Sequence, residues 1–532
     1  MRKFVNFSFI ISIISISSFG QIISEKSNII FFLVDDLGWT DLSCYGSSFY
    51  ETPNIDKLAE EGIKFTNAYS TCSVCSPSRA SILTGKYPAS INLTDWLTGR
   101  PDTPYQKLKN VKINKHLPYS ETTIAEVLKN LGYNTAILGK WHLGENPSNP
   151  MAHGFDLHLP NWAKGWPNKG YFAPFGLKGF EDSPRGYYLT DRLTDEALKY
   201  IKLNKKNNFF LLMSYFNVHD PIQGRKDLVE KYRKKLRGIK KSSNPDFILE
   251  GNPDNPNNPK RKELNQMILS KDFKNKYKTF DNDLVLIKQK QDNVEFAAMV
   301  ESVDESIGKI INELKKLKIE ENTIIIFYSD NGGMSALNGT PWREIQQNQL
   351  DQYYSTSNLP LRGAKGWLYE GGIRVPLIIK YPKSKKIGFE CDLPISGVDM
   401  FPTIVNMLNA SKYLNNNLDG INILPAVMGD KINRGPIYWH FPHYSNHGMQ
   451  SPGGAIRDGD YKLIEYFENG TLQLYNLKND LGEQIDLSKI EIKKTMELKK
   501  KLDNWRTNIG AKMMTKNEEY IPNSNKKISP YR

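Results

Sequence analysis

The chain has 532 residues, enough for a large hydrophobic core or two, and its 39% hydrophobic and 24% charged residues are typical of a globular protein. Four cysteines in a chain of this length exclude a disulfide-scaffold protein. The net charge of +13 suits an acidic partner such as nucleic acid, an anionic membrane or an acidic polysaccharide. The lysines are spread out and form no nucleic-acid-binding module, so the charge alone is equally typical of a solvated basic surface.

The N-terminal residues have the pattern of a secretory signal peptide. Arg2 and Lys3 precede an apolar run at 7–16, and small residues around Gly20 mark a cleavage site before Gln21. The sequence therefore predicts a signal peptide over residues 1–20 and an exported protein, periplasmic or secreted. An uncleaved anchor is the alternative, but the apolar run is short for a membrane span. No later segment resembles one.

Apolar runs alternate with helical patterns along the first 430 residues. This alternation predicts an α/β fold with a mostly parallel sheet flanked by helices. Strands are expected at 29–34, 134–138, 209–216, 323–328 and 376–379, and a long helix at 293–317. Another helix is expected at 122–131, capped by Ser120 and Glu121 and closed by Gly132.

Two further regions differ from the rest in composition or in the pattern of predicted elements. Residues 224–292 are rich in Lys, Asn and Asn-Pro pairs, which favours an irregular, solvated insertion, with the border of a substrate cleft as an alternative. After about residue 430, short strands at 436–441, 454–457, 461–466 and 471–477 precede a helix at 490–505. We therefore expect a main domain over 27–430 and a smaller C-terminal α+β subdomain with an antiparallel sheet over 431–532.

Polar side chains follow four of the predicted strands at the point where each ends: Asp35, Asp36, Lys140, His142, His219, Asp330 and Asn331. Sites in open α/β sheets form at these carboxyl ends. Taken alone, either Asp35-Asp36 or Asp330-Asn331 is typical of a turn. Because both pairs follow apolar strands and supply only oxygen ligands, they favour a site for Ca²⁺ or Mg²⁺ and disfavour Zn²⁺.

Residues 75–85 read C-S-P-S-R-A-S-I-L-T-G and predict a short helix. Pro77 suits its first turn, and Gly85 can end it in the left-handed conformation. Cys75 is then at a helix N-terminus, where free amides and the helix dipole attract anions. The segment resembles, without mismatch, the modification signature C-x-P-S-R-x-x-x-L-T-G of the formylglycine-dependent, type I sulfatases.

The resemblance to this family extends from about residue 27 to 490 and implies an alkaline-phosphatase-like fold. The segments that carry it are 35–39 (D-D-L-G-W), 139–144 (G-K-W-H-L-G), 217–221 (N-V-H-D-P), 361–366 (L-R-G-A-K-G), 370–376 (E-G-G-I-R-V-P), 398–399, 402–403 and 457–463 (R-D-G-D-Y-K-L). Neither the 224–292 insertion nor the last forty or so residues match the family pattern.

The resemblance implies a sulfuric ester hydrolase that acts on a sulfated polysaccharide or oligosaccharide. A maturation enzyme would convert Cys75 to formylglycine (3-oxoalanine), whose hydrate is the nucleophile. The implied ligands of a Ca²⁺ or Mg²⁺ ion are Asp35, Asp36, Cys75, Asp330 and Asn331. The implied catalytic residues are Arg79 to orient the hydrate, Lys140 and Lys365 to stabilise charge, His142 as base and His219 as acid.

Two other functions are compatible with the same residues. One is a formylglycine-dependent phosphonate or phosphodiester hydrolase, and the other is a secreted polyanion-binding protein with an inactive site. The sequence leaves open the natural substrate, the sulfate position, exo or endo action, the oligomeric state and any disulfide among Cys44, Cys72 and Cys391. Three histidines lie in no motif (His440, His443 and His447). Three tryptophans are interpreted as core or loop packing rather than sugar stacking (Trp96, Trp162 and Trp166).

Overall fold

The computed structural model of the protein describes residues 26–521, apart from residue 105 and the segments 241–243, 255–258, 270–283, 338–345, 415–416, 446 and 448–449. The predicted signal peptide lies outside the described residues. Across the described helices, none is both long enough and apolar enough to cross a membrane. The four cysteines, all within the described part, form no disulfide with one another.

Eight of the 18 described strands belong to a single large sheet. In chain order the described strands are β1 (Asn28–Val34), β2 (Ile63–Phe65), β3 (Ala68–Tyr69), β4 (Leu108–Lys109), β5 (Asn134–Gly139), β6 (Leu157–Leu159), β7 (Phe209–Ser214), β8 (Phe247–Gly251), β9 (Leu284–Lys288), β10 (Thr323–Ser329), β11 (Leu377–Lys380), β12 (Phe389–Cys391), β13 (Ile395–Ser396), β14 (Ile437–Phe441), β15 (Gly453–Asp458), β16 (Tyr461–Tyr466), β17 (Leu472–Asn476) and β18 (Thr515–Lys516).

The α-helices vary from single turns to a helix of 23 residues. In chain order the described helices are α1 (Pro53–Glu61), α2 (Cys75–Thr84), α3 (Ile124–Asn130), α4 (Leu189–Asn204), α5 (Lys226–Arg237), α6 (Arg261–Met267), α7 (Val294–Lys316), α8 (Leu350–Tyr353), α9 (Glu370–Ile373), α10 (Met400–Met407), α11 (Leu424–Val427) and α12 (Ile492–Asn508).

An eight-stranded sheet lies at the centre, in the order β12-β2-β11-β10-β1-β7-β5-β6. Each pair of neighbours is parallel except for β11, which is antiparallel to both β10 and β2. In this register Val34 is opposite Ser329 on β10, and Leu33 is opposite Ser214 on β7. The α/β fold with a mostly parallel sheet is thus confirmed.

Helices cover both faces of this sheet, which is why its central strands are apolar on both sides. One core contains residues of α1, α4, α5 and α7, and the other contains residues of α2, α3, α10 and α11. Every residue of β1 and β10 is buried. Charged groups at the ends of these strands are therefore buried as well unless a cavity reaches them.

The strands β14 to β17 form a second, antiparallel sheet, as the sequence predicted. One of its faces packs on α12 through Leu498 and Leu502. The other face joins Trp367 and Tyr369 of the main domain in a shared core. Residue 431 as the boundary between the two domains remains a prediction.

Two local expectations differ from the structure. The cap of α3 is Thr123, not Ser120 or Glu121. The Thr123 hydroxyl accepts the Glu126 N–H at 3.2 Å, and the Glu126 carboxylate accepts the Thr123 N–H at 2.7 Å. This reciprocal pairing satisfies two amides that a helix start leaves free, so it fixes the start of the helix.

The second difference concerns the 224–292 insertion, whose described residues contain regular elements. Helix α5 packs on the core through Leu228, Val229 and Tyr232, and β8 pairs with β9. Two of the four lysines of α5 reach across to Glu51: Lys231 Nζ lies 2.6 Å and Lys235 Nζ 2.7 Å from its carboxylate oxygens. Of the Asn-Pro pairs, the two within the described residues, Asn244-Pro245 and Asn252-Pro253, lie in the connections between these elements.

Candidate active site

The acidic pairs predicted at the strand ends lie side by side. Asp35 and Asp36 follow β1, and Asp330 and Asn331 follow β10, its parallel neighbour. All four are at most 1% exposed. The backbone N–H of Asp36 donates to Asp330 Oδ1 at 3.2 Å, which ties the two strand ends together.

Helix α2 brings Cys75 to this cluster. Cys75 is its first residue, and Gly85, with φ of 70°, ends it in the left-handed conformation, as predicted. Val74 at the cap provides no side-chain hydrogen bond, so the first amides of the helix stay available. Ligand atoms of Asp35, Cys75 and Asp330 all lie within 4.8 Å of one another.

Each carboxylate of the cluster has its own cation. Lys140 Nζ lies 2.6 Å from Asp35 Oδ2, and Lys365 Nζ lies 2.7 Å from Asp36 Oδ2. Arg79 Nε donates to Asp330 Oδ2 at 2.7 Å. The pairing offsets the cost of burying three negative charges.

The pKa values of Asp35 and Asp330 are shifted in opposite directions. Burial raises the pKa of Asp35 well above its usual value, and the neighbouring Asp330 and Asp36 add to this against the pull of Lys140. Burial also opposes ionisation of Asp330, but Arg79 and Lys140 outweigh it and lower its pKa to about 2. A further positive charge beside Asp35 would stabilise its ionised form.

The donor set of the cluster fits a hard divalent cation. Asp35 Oδ1 and Asn331 Oδ1 are buried and have no hydrogen-bond partner in the described part of the chain. Buried oxygens without a partner are costly unless a ligand satisfies them. Together with Asp36 and Asp330, and with residue 75 beside them, they offer the oxygen-rich set that Ca²⁺ and Mg²⁺ prefer.

His142 is held with one ring nitrogen towards Cys75. Its Nε2 lies 2.9 Å from the Leu97 carbonyl, which can only accept, so Nε2 carries the proton and donates. Nδ1 is then the unprotonated nitrogen, and it lies 3.2 Å from Cys75 Sγ. Burial, with the nearby Lys140, lowers the pKa of His142 well below its usual value, which keeps the ring neutral.

The pKa of His219 is shifted in the opposite direction to that of His142. Its Nδ1 lies 2.6 Å from Asp220 Oδ1, and its Nε2 lies 3.7 Å from Asp36 Oδ2. Burial and Lys365 lower the pKa of His219, but the surrounding carboxylates outweigh them and raise it to about 9. The site therefore holds one neutral and one protonated histidine, a combination suited to paired base and acid chemistry.

A cavity of about 360 Å³ opens onto these groups. It is lined by Val74, Cys75, Trp96, His142, Gly165, Trp166, His219, Asp220, Pro221, Lys365 and His447. Lys140 and Arg79 lie behind it, where they contact the carboxylates. The interpretation of Trp96 and Trp166 as packing residues is thus incomplete, since both face the cavity.

Of the three histidines without a motif, only His447 lines this cavity. His443 Nε2 lies 2.8 Å from the Thr94 hydroxyl, and His440 Nε2 lies 2.8 Å from the Lys512 carbonyl, so both have structural partners. Sequence reasoning missed Asp220 as the partner of His219, although it is the next residue. It also missed the Leu97 carbonyl, since a backbone group has no sequence signature.

Comparisons with known proteins identify the family of the chain. The family model described as Sulfatase matches residues 27–410, and that of the N-sulphoglucosamine sulphohydrolase C-terminal region matches residues 364–508. The chain is 28% identical to a sulfatase of Formosa agariphila, with 98% of this chain and 97% of the relative covered. It is 30% identical to the N-acetylgalactosamine-6-sulfatase of Canis lupus familiaris, with 78% and 69% covered.

Among solved structures, the fold is similar to Ps i-CgsB in complex with k-i-k-neocarrahexaose, with a TM-score of 0.66 and 28% identity. The alignment covers 90% of this chain and 93% of that one. The family model alone spans well over half of the sequence. The chain therefore belongs to the sulfatase family and is a sulfatase.

Proposed function

We propose that this sulfatase removes sulfate from a sulfated saccharide, with the hydrated aldehyde derived from Cys75 as its nucleophile. The observation that carries the proposal is the position of two histidines, His142 and His219, at the cavity that contains Cys75. His142 presents an unprotonated nitrogen to residue 75 at 3.2 Å, while His219 is held protonated by carboxylates. A hydrate has two hydroxyl groups, one for attack and one for the later elimination.

In the first step one hydroxyl of hydrated residue 75 loses its proton to solvent, and its oxygen attacks sulfur. The new O–S bond forms as the S–O bond to the sugar breaks, and His219 donates the proton that the leaving sugar oxygen takes up. Lys365 lines the cavity and balances charge on the transferring sulfate. Lys140, fully buried behind Asp35, contributes to the same positive field and orients that carboxylate.

In the second step the remaining hydroxyl of residue 75 loses its proton to His142 Nδ1. The carbon–oxygen double bond reforms, the C–O bond to the sulfate breaks, and sulfate leaves. Water then adds to the aldehyde and restores the hydrate. A serine or cysteine at this position has no second hydroxyl and would remain sulfated. Arg79 would help to orient the hydrate, since its Nη2 lies 3.6 Å from Asp35 Oδ1 and makes no hydrogen bond within the described residues.

Asp35, Asp36, Asp330, Asn331 and residue 75 would hold the metal ion, for which the all-oxygen protein donors favour Ca²⁺ or Mg²⁺. When bound, the ion would neutralise sulfate oxygens and assist ionisation of a hydroxyl. Because Lys140 pairs with Asp35 Oδ2, Asp35 Oδ1 is left for this purpose, together with Asn331 Oδ1.

The saccharide substrate is supported by the similarity to a saccharide-bound structure and to an N-acetylgalactosamine-6-sulfatase. A net charge of +13 also suits a polyanionic substrate. We further propose export through residues 1–20 and activation by a formylglycine-generating maturation enzyme, which acts on Cys75 in the segment 75–85.

The test combines peptide mass spectrometry of residue 75 with turnover of an aryl sulfate, an aryl phosphate and a phosphonate ester. We expect an aldehyde at residue 75, hydrolysis of the sulfate ester, and loss of activity but not of fold in Cys75→Ala. A screen of defined sulfated oligosaccharides, with product masses, would then identify the target ester. A fully active preparation with only an unmodified thiol would overturn the mechanism, and preferred turnover of the phosphonate would overturn the reaction class.

A further inference from the structure

A loop that follows β6 forms one wall of the cavity, and we call residues Trp162 to Trp166 the tryptophan loop. Gly165 and Trp166 line the cavity beside Cys75. The loop is also fixed to the catalytic machinery, because the Ala163 carbonyl accepts the backbone N–H of His142 at 3.0 Å. It therefore faces the space into which the part of a substrate beyond the sulfate must project.

The side chains of this loop present two aromatic rings and a cation together. Trp162 Nε1 donates to the Trp166 carbonyl at 2.6 Å, which closes the loop on itself. The Lys164 ammonium lies 5.9 Å from the ring centroids of both tryptophans. Trp166 is 41% exposed, so a ring face of this large apolar side chain is open at the mouth of the cavity.

Lys164 differs from the other cations near the site in having no acidic partner. Lys140 and Lys365 each lie within 2.7 Å of a carboxylate oxygen, whereas no carboxylate of the described residues lies within 4.0 Å of the Lys164 ammonium. Its charge is also exposed, unlike that of the buried lysines at the sulfate position. A second acidic group on the substrate is the ligand that this arrangement fits.

We propose that the tryptophan loop is a subsite for a second anionic substituent of the saccharide. In this subsite a sugar ring stacks on Trp166 while its sulfate or carboxylate group pairs with Lys164. The inference rests on the proposed function and narrows it, because the preferred substrate is then a saccharide with at least two acidic groups. The group bound by Lys164 is distinct from the ester that is cleaved, which lies at the buried base of the cavity beside Lys365.

The test compares three substrates for the full, matured enzyme: 4-nitrophenyl sulfate, a monosulfated saccharide, and the same saccharide with a second sulfate. We expect Lys164→Gln to lower kcat/KM for the disulfated saccharide about threefold to tenfold relative to both other substrates, through KM. Trp166→Ala should lower kcat/KM for both saccharides about tenfold relative to the aryl sulfate. Lys169→Gln, which changes an exposed lysine nearby that stacks on neither tryptophan, is the matched control and should behave as wild type.

Equal effects of Lys164→Gln on all three substrates would overturn the inference, as would wild-type enzyme that shows no preference for the disulfated saccharide. Turnover of the aryl sulfate with no turnover of either saccharide would also overturn it and would leave the sulfatase chemistry intact. Wild-type enzyme that hydrolyses none of the three sulfate esters would overturn the proposed function together with the inference.

Discussion

The Leu97 carbonyl fixes the tautomer of His142. Because it accepts a hydrogen bond from Nε2 at 2.9 Å, the lone pair of the ring is at Nδ1, on the side of Cys75. The carbonyl is itself positioned from α2, since the Leu97 N–H donates to the Ser76 hydroxyl at 3.1 Å. The residue next to the nucleophile thus helps to orient its base.

Gly165→Ala should impair catalysis through His142. A Cβ at Gly165 would lie 2.3 Å from His142 Cε1, so the ring has to move away from residue 75. We expect kcat to fall by roughly 10- to 100-fold, a part of what a positioned base supplies. The loss should already be seen with a small aryl sulfate, which does not reach Lys164 or Trp166.

Gly238→Ala is the matched control for this change. Its added Cβ would approach the protein no closer than 3.4 Å, at the Lys235 carbonyl, and activity should stay at the wild-type level. Circular dichroism would show that both variants are folded. Wild-type kcat in folded Gly165→Ala would mean that the ring position is not limiting.

Metal removal should abolish turnover, and Ca²⁺ or Mg²⁺ should restore it. Asp330→Asn keeps the shape of the side chain but removes a charge from the ligand set, so we expect the affinity for Ca²⁺ to fall about tenfold or more. Isothermal titration of the metal-free protein gives this affinity independently of activity. Asp182→Asn, at a carboxylate with a 78% exposed side chain, should leave it unchanged. Unaltered Ca²⁺ affinity in Asp330→Asn would remove Asp330 from the proposed ligands.

Much of this site could be predicted from local sequence. Asp35 and Asp330 each follow an uninterrupted apolar strand, and parallel strands bring such ends to one edge. Pro77 and Gly85 mark the first turn and the end of a helix through their own conformational preferences. These signals depend only on neighbouring residues, so they can be interpreted without knowledge of the tertiary contacts.

The remainder depends on contacts between distant segments. The ion pair between Lys365 and Asp36 joins residues 329 positions apart, and nothing in either segment indicates its partner. The sequence predicts the cap of α3 at Ser120 and Glu121 because several capping residues compete there, and only the reciprocal hydrogen bonds with Glu126 select Thr123. Trp166 lines a cavity only because its loop packs against His142.

The loss of activity on replacing His219, the proposed acid, should depend on the leaving group of the substrate. His219→Ala should lower kcat/KM for alkyl sulfates by about 100-fold or more, because an alkoxide is a poor leaving group without a proton. The loss for 4-nitrophenyl sulfate should be much smaller, since nitrophenolate leaves readily. His116→Ala, at a half-buried histidine that does not line the cavity, is the control. Equal losses for the two substrates would indicate that His219 only positions the substrate.

A buried cluster of one lysine and two glutamates should make stability depend on pH. Lys462 Nζ lies 3.0 Å from Glu370 Oε1 and 2.9 Å from Glu483 Oε1, and none of the three side chains is exposed. The single charge of Lys462 is shared by two carboxyl groups, so it cannot stabilise the ionised form of both equally. Burial opposes ionisation of Glu370, but Lys462, Arg374 and Arg457 lower its pKa to about 2. Burial and the charge of Glu370 outweigh Lys462 and raise the pKa of Glu483 to about 7.

The sign of the effect follows from the Glu483 carboxyl group, whose pKa is higher in the folded state than the ordinary 4.5. Its protonation stabilises the folded state fully below pH 4.5, and this contribution is lost as pH rises towards 7. The Glu483→Gln variant has a neutral side chain at every pH, so it should not lose this contribution. Between pH 4.5 and 8 we therefore expect its free energy of unfolding to rise by about 2–4 kcal/mol relative to that of the wild type. Urea unfolding at several pH values measures this difference, with Glu518→Gln, at an exposed carboxylate, as the control. A constant difference between variant and wild type across this range would show that Glu483 is ionised throughout.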